Sequence, residues 1–440
     1  MKTLLAPAYQ ILKDNWKDGF TIPTSKLYPF QWNWDSGFVS LGHYYHDPNY
    51  AIQELNSLFS GQWENGLVPH IIFHSEKEKT YFPNYDFWDS NVNKGAPLFP
   101  KSSGITQPAV HGFILENLLN RDPNNEQIIA FAKDIFPKIV HYHRFLYTYR
   151  DPFKEGLMFI FHPWESGRDN SPLWDESLDR IKVRHEDLPP YQRRDTSIAD
   201  ASERPTSAQY DRYVYLLLLG KKYQYDGVEI AKESPFLVQD ELMNAILIKS
   251  NQSLINIGKR LGLDTKELEE WQQQSIKAFN EKFWNENLQF YNAYDLRGEK
   301  LIPHKTSGGI VPLFANIPSQ SQAIALNNYL ESLHQRNYYL CPSFDVDDPL
   351  FDSKRYWRGP VWPHMNWMVY HGLKQYGFEE TAKIIKADTL EIVNKFGFFE
   401  YFEPQKGLAM NLKKGYGGDH FSWTASSVID LVMEDDGNIE

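Results

Sequence analysis

Residues 128–146 read IIAFAKDIFPKIVHYHRFL. Six side chains in this stretch step forward by three or four positions: Ile128, Ala132, Ile135, Ile139, His143 and Leu146. That spacing places them on one face of an α-helix, because an α-helix turns about once every 3.6 residues. The same spacing recurs along the chain and predicts a mainly helical protein.

The periodic pattern predicts twelve helices. They are placed near residues 2–15, 35–45, 49–60, 107–119, 125–149, 206–223, 237–261, 265–283, 319–334, 362–376, 378–396 and 422–434. Asp264 and Glu267 predict a capping box that opens the helix near 265–283. Long, aromatic-rich connections lie at 61–106, 150–204 and 335–361. Loops of that length in a compact chain are commonly functional.

The sequence shows no linker and no fixed-period repeat that would divide it. We therefore expect residues 1–440 to form one domain. A dozen helices without a boundary fit six helical hairpins that close into a ring. This predicts an all-α fold, an (α/α)6 barrel, with the functional site on the face where the long loops gather.

Composition and charge exclude several classes of function. Hydrophobic residues make up 42% and charged residues 23% of the chain, and the mean hydropathy is -0.54, as in a soluble globular protein. No run of about 18 apolar residues occurs, so we expect no membrane span. The net charge of -12 argues against a nucleic-acid partner. Cys341 is the single cysteine, which excludes a disulfide within the chain and a cysteine-based metal site.

Two further expectations concern ligand class and location. Aromatic residues make up 15% of the chain, and although most rings belong in the core, some can line a sugar site because sugar C–H faces pack on flat rings. The opening stretch, MKTLLAPAYQILKDNW, predicts a helix rather than a signal peptide, which favours a cytoplasmic location. A homo-oligomer is compatible with the sequence.

Residues 162–175 read HPWESGRDNSPLWD and carry three carboxyl side chains, Glu165, Asp169 and Asp175. Trp164 and Trp174 lie beside them. A carboxyl group packed between indole rings loses hydration, which raises its pKa towards the range that a general acid needs. The alternative is a solvated acidic turn next to two buried rings, and the residues alone favour that alternative.

Residues 396–407 read FGFFEYFEPQKG and leave a predicted helix. Tyr401 and Phe402 separate Glu400 from Glu403, so an extended chain would place the two carboxyls on opposite faces. The apolar neighbours favour a dry pocket for one carboxylate. A solvent-facing side chain is the simpler interpretation for Glu403.

These two segments resemble the catalytic segments of glycoside hydrolase family 63, inverting α-glycosidases related to the trehalases. ESGRDNSP (165–172) is similar to the family's acid segment, and FFEYFEPQKG (398–407) to its base segment. Five more segments resemble family motifs: YPFQWNWDSGF (28–38), GLVPH (66–70), VQDELMNAIL (238–247), RYWRGPVWPHMNW (355–367) and GDHFSWTAS (418–426). The chain looks most like the small glucosylglycerate and mannosylglycerate hydrolases of that family.

The resemblance implies a role for each matching residue. It implies that Asp169 is the general acid and Glu400 the general base, and that Trp34 and Asp35 hold the sugar at the cleaved end. The implied walls of the sugar pocket are Gln107, Trp164, Trp357 and Trp362. The positions implied to face the leaving group are Tyr28, Tyr81, Arg204, Tyr210 and Tyr356. Segments 97–108 and 175–200 match no family pattern.

Elementary chemistry agrees with the implied acid and base. Glycoside cleavage needs a protonated carboxyl on one side of the bond and an ionised one on the other, and inversion requires about 6.5–9.5 Å between them. Asp169 and Glu400 are far apart in sequence, so only a closed fold can bring them across a cavity. For Arg204, the residues alone slightly favour a surface ion pair. The resemblance implies instead a fork for a substrate carboxylate.

We therefore expect an inverting, exo-acting α-glycoside hydrolase of a small glycoside, without a cofactor or a metal. The first expected substrate is 2-O-α-glucosylglycerate, with mannosylglycerate close behind. A trehalase-like enzyme or an oligosaccharide α-glucosidase is the alternative within this class. A sugar-binding protein without catalysis is a further alternative.

Two other patterns point to different chemistry. FDVDDP (344–349) matches the acidic motif of class II terpene cyclases, with Asp345 and Asp347 as the acids, but so short a pattern arises easily by chance in an acidic chain. His70 and His74 have the spacing of zinc-binding helices without a recognisable third ligand. A structural role is the simpler interpretation for both histidines.

Overall fold

Helices dominate the structure, a computed structural model that describes residues 2–75, 81–408 and 415–436. The α-helices of the described residues are α1 (Leu5–Asn15), α2 (Asn33–His46), α3 (Pro48–Phe59), α4 (Tyr85–Trp88), α5 (His111–Arg121), α6 (Glu126–Tyr149), α7 (Asp175–Leu178), α8 (Asp195–Ile198), α9 (Ser207–Lys222), α10 (Gly227–Glu233), α11 (Glu241–Leu261), α12 (Lys266–Phe283), α13 (Gln320–Gln335), α14 (Pro363–Gln375), α15 (Glu379–Phe396) and α16 (Ser422–Asp436). Each of the twelve predicted helices has a counterpart among them.

The helix ends differ from the predicted ones by up to four residues. The segment expected to be helical from 237 starts instead with a short strand, and α11 begins at Glu241, where the Asp240 side chain accepts a hydrogen bond from the Leu242 N–H. The predicted capping box of Asp264 and Glu267 is wrong. Asp264 accepts the N–H of Lys266, and Glu267 pairs with Arg144 at 2.6 Å, so α12 begins without that reciprocal bond.

The inner contacts of the fold form a closed cycle. α2 packs on α5, α5 on α11, α11 on the 3₁₀ turn Val311–Leu313, this turn on α14, α14 on α16, and α16 on α2. A second set of helices packs against this cycle: α1 on α16, α3 on α2, α6 on α5, α12 on α11 and α15 on α14. The first and last of the long helices are therefore neighbours.

Two glycines allow inner helices to approach closely. A β carbon at Gly112 of α5 would lie 2.5 Å from the carbonyl oxygen of Ser250 in α11. A β carbon at Gly42 of α2 would lie 2.9 Å from the Cα of Ser426 in α16, and the Gly42 N–H donates to the Ser426 hydroxyl at 2.7 Å. Any larger side chain at either position would push two backbones apart.

Short antiparallel strands pin the long connections to the helices. The strands of the described residues are β1 (Gln31–Trp32), β2 (Ile71–Phe73), β3 (Lys101–Ser102), β4 (Val238–Gln239), β5 (Trp284–Asn285), β6 (Phe290–Tyr291), β7 (Tyr294–Asp295), β8 (Lys300–Leu301), β9 (Tyr401–Phe402) and β10 (Gly415–Tyr416). β2 lies between β1 and β3, and β9 pairs with β10 with Tyr401 opposite Tyr416. These strands lie next to chain segments that line one cavity: those after β1 and β3 and the one before β9.

Among the described residues, no helix combines the length and the apolar character that crossing a bilayer requires.

Candidate active site

One cavity collects residues from several of the long connections. Its walls come from the segment before α2, the first turn of α2, the loop after the 3₁₀ turn Pro163–Ser166, the start of α9 and the segment before β9. The predicted site residues that line it are Tyr28, Trp34, Asp35, Tyr81, Gln107, Trp164, Asp169, Arg204, Tyr210, Tyr356 and Glu400. Residues predicted from distant parts of the sequence thus face the same space.

Asp169 is the carboxyl of segment 162–175 that lines the cavity. Glu165 is buried and binds Arg150 at 2.6 Å, and Asp175 pairs with Arg358 at 2.7 Å. The neighbouring Arg168 is buried between Asp240 and Glu241. These ion pairs fix the loop and leave Asp169 free to face the cavity.

A close aromatic contact also shapes the acid loop. Gly167 has φ 70°, and a β carbon there would lie 2.4 Å from the ring of Trp34. The Tyr213 hydroxyl donates to the carbonyl oxygen of Asp169 at 2.8 Å. The loop can therefore lie flat on Trp34 only with glycine at 167, since that position requires both a left-handed backbone and space for the indole.

Glu400 lies between the end of α15 and β9, where its carboxylate meets hydrogen-bond donors. The Gly418 N–H donates to Oε2 at 3.0 Å, and the Tyr28 hydroxyl donates to Oε1 at 3.1 Å. Tyr356 adds a third hydrogen bond, and its hydroxyl lies 3.1 Å from that of Tyr28. Three donors directed at one carboxylate stabilise its ionised form.

Burial raises the pKa of both facing carboxyls. The pKa of Asp169 rises to about 7 because of burial, although the Arg204 charge lowers it. The pKa of Glu400 also rises to about 7 because of burial, while Arg204 and the bonds from Gly418, Tyr28 and Tyr356 act in the opposite direction. The charge of Glu400 in turn raises the pKa of Asp169. Near neutral pH the pair therefore binds one proton, which is carried by either Asp169 or Glu400.

Arg204 is a buried cation beside both carboxyls. Its Nη1 donates to the Tyr28 hydroxyl at 3.0 Å, and its Nε donates to Asp195 Oδ2 at 3.2 Å. The guanidinium lies 4.2 Å from the centre of the Tyr356 ring. This arrangement offers a fixed positive charge at one end of the cavity.

Another group of lining residues combines indole rings with polar side chains, which suits a sugar ring. Trp34 and Asp35 lie in the first turn of α2, and the Gln107 side chain accepts a hydrogen bond from the Trp34 N–H at 3.3 Å. Burial, together with the nearby charge of Glu400, raises the pKa of Asp35 well above its usual range. Trp164 adds a flat ring, packed parallel to His70 with 6.1 Å between ring centres.

Trp357 and Trp362 lie behind the wall rather than on it. The two indoles stack on each other with 3.8 Å between ring centres. Trp357 packs against Trp34 and Trp362 against Trp423, and Trp34 and Trp423 do line the cavity. Trp357 and Trp362 were expected to form the pocket wall, but neither lines the cavity. Each packs instead against an indole that does line it.

The cavity also contains residues that the sequence prediction missed. They are Pro23, Leu27, Trp32, His70, Ile71, Phe82, Pro83, Gly167, Arg194, Asp195, Pro205, Phe421 and Trp423. Trp32, His70 and Trp423 belong to segments that resemble family motifs, so those motifs could have identified them. Arg194 and Asp195 belong to 175–200, where the sequence offers no pattern.

Three other carboxylates form hydrogen bonds or ion pairs away from the cavity. Glu403 is buried, contrary to expectation, and accepts a hydrogen bond from Ser353 at 2.8 Å. Asp345 and Asp347 lie outside the cavity lining and bond to Tyr329 and Arg336. Their acidic segment is therefore an ion-paired loop.

The histidine pair is likewise accounted for by hydrogen bonds. His70 lies 3.0 Å from the Ser103 hydroxyl, and His74 lies 2.7 Å from the Gln31 side-chain oxygen. In the part of the chain that the structure describes, no three His, Cys, Asp or Glu side chains are grouped as metal ligands.

A family model and two known relatives all match this chain to the same group of glycoside hydrolases. The family model of the mannosylglycerate hydrolase MGH1-like glycoside hydrolase domain matches residues 28–424. The chain is 43% identical over 420 residues to a mannosylglycerate hydrolase of Thermus thermophilus, covering 95% of this chain and 98% of that one. It is 32% identical over 444 residues to a glucosylglycerate hydrolase of Mycolicibacterium hassiacum, covering 98% and 97% of the two chains.

A solved structure supports the same assignment. The crystal structure of a GH63 mannosylglycerate hydrolase from Thermus thermophilus in complex with Tris matches with a TM-score of 0.91 and 41% sequence identity, covering 98% of this chain and 100% of that chain. The family model and the relatives each extend over nearly the whole chain. The chain therefore belongs to glycoside hydrolase family 63, as its motifs predicted, and it is a glycoside hydrolase.

Proposed function

We propose that this enzyme is an inverting, exo-acting hydrolase of α-glycosides of glycerate, with mannosylglycerate as its first substrate and glucosylglycerate as its second. The observation that carries the proposal is that Asp169 and Glu400 line the same cavity as Arg204, close enough for the charge of Glu400 to raise the pKa of Asp169. The sequence alone ranked glucosylglycerate first. The greater similarity to a mannosylglycerate hydrolase reverses that order.

The two carboxyls divide the chemistry between them. Asp169, in its protonated form, donates its proton to the glycosidic oxygen as the bond from that oxygen to the anomeric carbon breaks. Glu400, ionised, removes a proton from a water molecule whose oxygen attacks the anomeric carbon from the opposite face. The free sugar then has the opposite anomeric configuration from the substrate. The donors around Glu400 support its role as the ionised partner.

The wall near α2 is proposed to hold the sugar that is released. Asp35 accepts hydrogen bonds from sugar hydroxyls, and Gln107 adds a polar contact. Trp34 and Trp164 pack against the C–H faces of the ring. Trp357 and Trp362 keep Trp34 and Trp423 in place from behind.

The end of the cavity near Arg204 is proposed to hold the glycerate. A guanidinium matches the geometry of a carboxylate, and a buried one discriminates strongly because its charge is little screened. The rings of Tyr28, Tyr81, Tyr210 and Tyr356 surround the same space. Because the chain carries a net charge of -12, selectivity for an anionic substrate must arise from such a local cation.

At the level of the fold, we propose one domain with an (α/α)6 arrangement. The closed cycle of contacts through α2, α5, α11, the turn Val311–Leu313, α14 and α16 supports this, as does the set of helices packed against it. In this arrangement the 3₁₀ turn takes the place of one inner helix.

The proposal is tested by following hydrolysis directly. The full chain is incubated with mannosylglycerate, glucosylglycerate, trehalose and kojibiose, and the first sugar released is examined by NMR before it mutarotates. We expect rapid cleavage of the two glycerate glycosides and an initial product of β configuration. Preferred cleavage of trehalose or kojibiose would support a disaccharide hydrolase, and an initial α product would contradict inversion.

Arg204→Met tests the assignment of the glycerate end. A charge-assisted hydrogen bond contributes about 1.5–3 kcal/mol, so kcat/KM for mannosylglycerate should fall by about ten- to a hundredfold or more. Cleavage of a neutral analogue, mannosylglycerol, should fall much less when each variant is measured at its own pH optimum, since Arg204 also affects the pKa of Asp169 and Glu400. An equal loss on both substrates would mean that Arg204 acts on the structure rather than on the carboxylate.

A further inference from the structure

We propose that Asp195 is an internal substitute for the substrate carboxylate: it pairs with Arg204 until glycerate binds and then releases it. This inference rests on the proposed function, which assigns glycerate to Arg204. Asp195 lies on the four-residue helix α8, in the segment 175–200 that no sequence pattern explained, and it lines the cavity.

Arg204 already has three hydrogen-bond partners within the protein. Nη1 donates to the Tyr28 hydroxyl and Nε to Asp195 Oδ2, and Tyr401 shares a further hydrogen bond with the guanidinium. Three of the five N–H groups of Arg204 thus have partners, so a substrate carboxylate that binds through any of these three must displace that partner or share its donor.

The two tyrosines cannot easily be the displaced partners. The Tyr28 hydroxyl donates its own proton to Glu400 at 3.1 Å, and the Tyr401 hydroxyl donates its proton to the Glu203 carbonyl at 3.0 Å. Each hydroxyl therefore depends on Arg204 as the donor to its lone pairs. Displacing either would leave a buried oxygen short of a donor and would loosen the contacts around Glu400.

Asp195 also pairs with a second cation, Arg193. Arg193 donates to its two carboxylate oxygens at 3.0 and 2.7 Å, whereas Arg204 makes a single contact at 3.2 Å. Burial raises the pKa of Asp195, but its bonds to Arg193 and Arg204 outweigh that effect and lower it below the usual value. Asp195 therefore stays ionised, and after releasing Arg204 it remains paired with Arg193.

The exchange replaces one carboxylate with another on Arg204. The substrate thus meets a guanidinium that is held in place and whose charge is balanced until the anion arrives. A neutral ligand cannot compete for Arg204 in this way, since it brings no charge to replace that of Asp195. Asp195 therefore acts as a specificity-determining residue through its contact with Arg204. Arg193 determines how readily Asp195 releases Arg204.

Binding of D-glycerate to the full chain, measured by isothermal titration calorimetry, tests this exchange. Asp195→Asn removes the competing charge, so D-glycerate should bind about tenfold more tightly, a change of about 1.4 kcal/mol. Arg193→Met removes the alternative partner of Asp195, so D-glycerate should bind several times more weakly. A residue that merely held Arg204 in position would give the opposite sign at Asp195, because its loss would weaken binding.

The double variant separates exchange from general electrostatics. If Arg193 acts through Asp195, then Arg193→Met should have no effect in the Asp195→Asn background, whereas independent charges would give additive changes. Weaker or unchanged binding by Asp195→Asn, or an Arg193 effect that persists without Asp195, would overturn the inference. Unchanged melting temperature and unchanged mannose binding serve as controls for folding.

The proposed function is checked in the same titrations. If the unaltered chain does not bind D-glycerate, or if Arg204→Met binds it equally well, the glycerate assignment fails and the inference fails with it. If both of those controls behave as expected and Asp195→Asn binds more weakly, the inference alone is wrong.

Discussion

Glu400 accepts hydrogen bonds from the Gly418 N–H and the Tyr28 hydroxyl, whereas the Asp169 carboxylate receives one from its own backbone N–H. Burial raises the pKa of both groups to about 7, so burial alone does not distinguish an acid from a base. The hydrogen-bond donors around Glu400 distinguish the two carboxyls, since they favour the ionised form of Glu400. The hydrogen bonds to Glu400 therefore support the proposal that Asp169 is the acid and Glu400 the base.

Asp169→Asn and Glu400→Gln should each abolish most of the turnover. General acid–base assistance contributes about 10²–10⁴ in rate, so each variant should lose at least that factor in kcat. Both substitutions preserve shape, and mannose binding and the melting temperature should remain close to those of the unaltered enzyme. Steady-state kinetics on mannosylglycerate measure the effect, and near-normal turnover of either variant would refute its assigned role.

Tyr28→Phe should shift the pH profile of kcat/KM. The Tyr28 hydroxyl lowers the pKa of Glu400 by donating to it, so its loss raises that pKa. Because the base must be ionised, activity then appears only at higher pH, and the acidic limb should move up by about half a unit to one unit. Tyr210→Phe is the matched control, since the Tyr210 hydroxyl contacts the Phe82 carbonyl instead. An acidic limb that stays in place would contradict the proposed contact with the base.

Single residues also mark the limit of sequence prediction at the site. Segment 162–175 contains three carboxyls among tryptophans, and nothing in its spacing separates Asp169 from Glu165 or Asp175. The separation comes from Arg150 and Arg358, which bind the other two carboxyls. Those arginines are placed by tertiary packing, so only the family resemblance could single out Asp169.

Among the elements, the long helices were predictable and the short ones were not. α6 and α11 carry apolar stripes over many turns, which a spacing of three and four residues reveals. The four-residue helices α4, α7 and α8 are too short to show a period. β1, β2 and β3 span only two or three residues, and their pairing depends on contacts between distant segments. The sequence therefore located the long helices but not the short elements that position the site residues.

Gly112→Ala should lower the melting temperature through the contact between α5 and α11. Alanine favours a helix by about 1 kcal/mol over glycine, but its β carbon would lie 2.5 Å from the Ser250 carbonyl oxygen. Overpacking of this kind costs about 1–3 kcal/mol, and a backbone atom cannot move aside as a side chain can. We therefore expect net destabilisation in a thermal unfolding experiment.

Lys133→Ala, at an exposed position of α6, provides the control for the Gly112 substitution. Its melting temperature should stay close to that of the unaltered enzyme. Stabilisation by Gly112→Ala would show that α5 and α11 can separate without loss, and that their close approach is not required.

At the scale of the whole molecule, one carboxylate joins four helices of the inner cycle. Asp430 of α16 accepts hydrogen bonds from Trp367 of α14 at 2.6 Å and from Tyr45 of α2 at 3.2 Å. It also pairs with Arg121 of α5. Asp430 does not line the catalytic cavity, so its contribution is to closure of the cycle rather than to chemistry.

Asp430→Ala should destabilise the enzyme without changing its chemistry. The substitution leaves the partly buried Arg121 and the buried Trp367 N–H without this acceptor, at a cost of about 1–3 kcal/mol. The melting temperature should fall clearly, while kcat and KM measured well below it stay unchanged. Asp134→Ala removes an exposed ion pair with Lys138 and should have almost no effect. Equal stability of the two variants would contradict a closing role for Asp430.

A ribosome builds the chain from its amino terminus, so α2 and α14 are complete before α16, which packs against both. Until Ser422–Asp436 has been synthesised, the face of α2 that carries Gly42 lacks its contact with Ser426 of α16. Glu400 likewise lacks the Gly418 N–H for most of translation. We therefore expect the cycle of helices to close, and the base to gain its backbone donor, only after α16 has been made, and we expect chaperones to bind the exposed apolar faces until then.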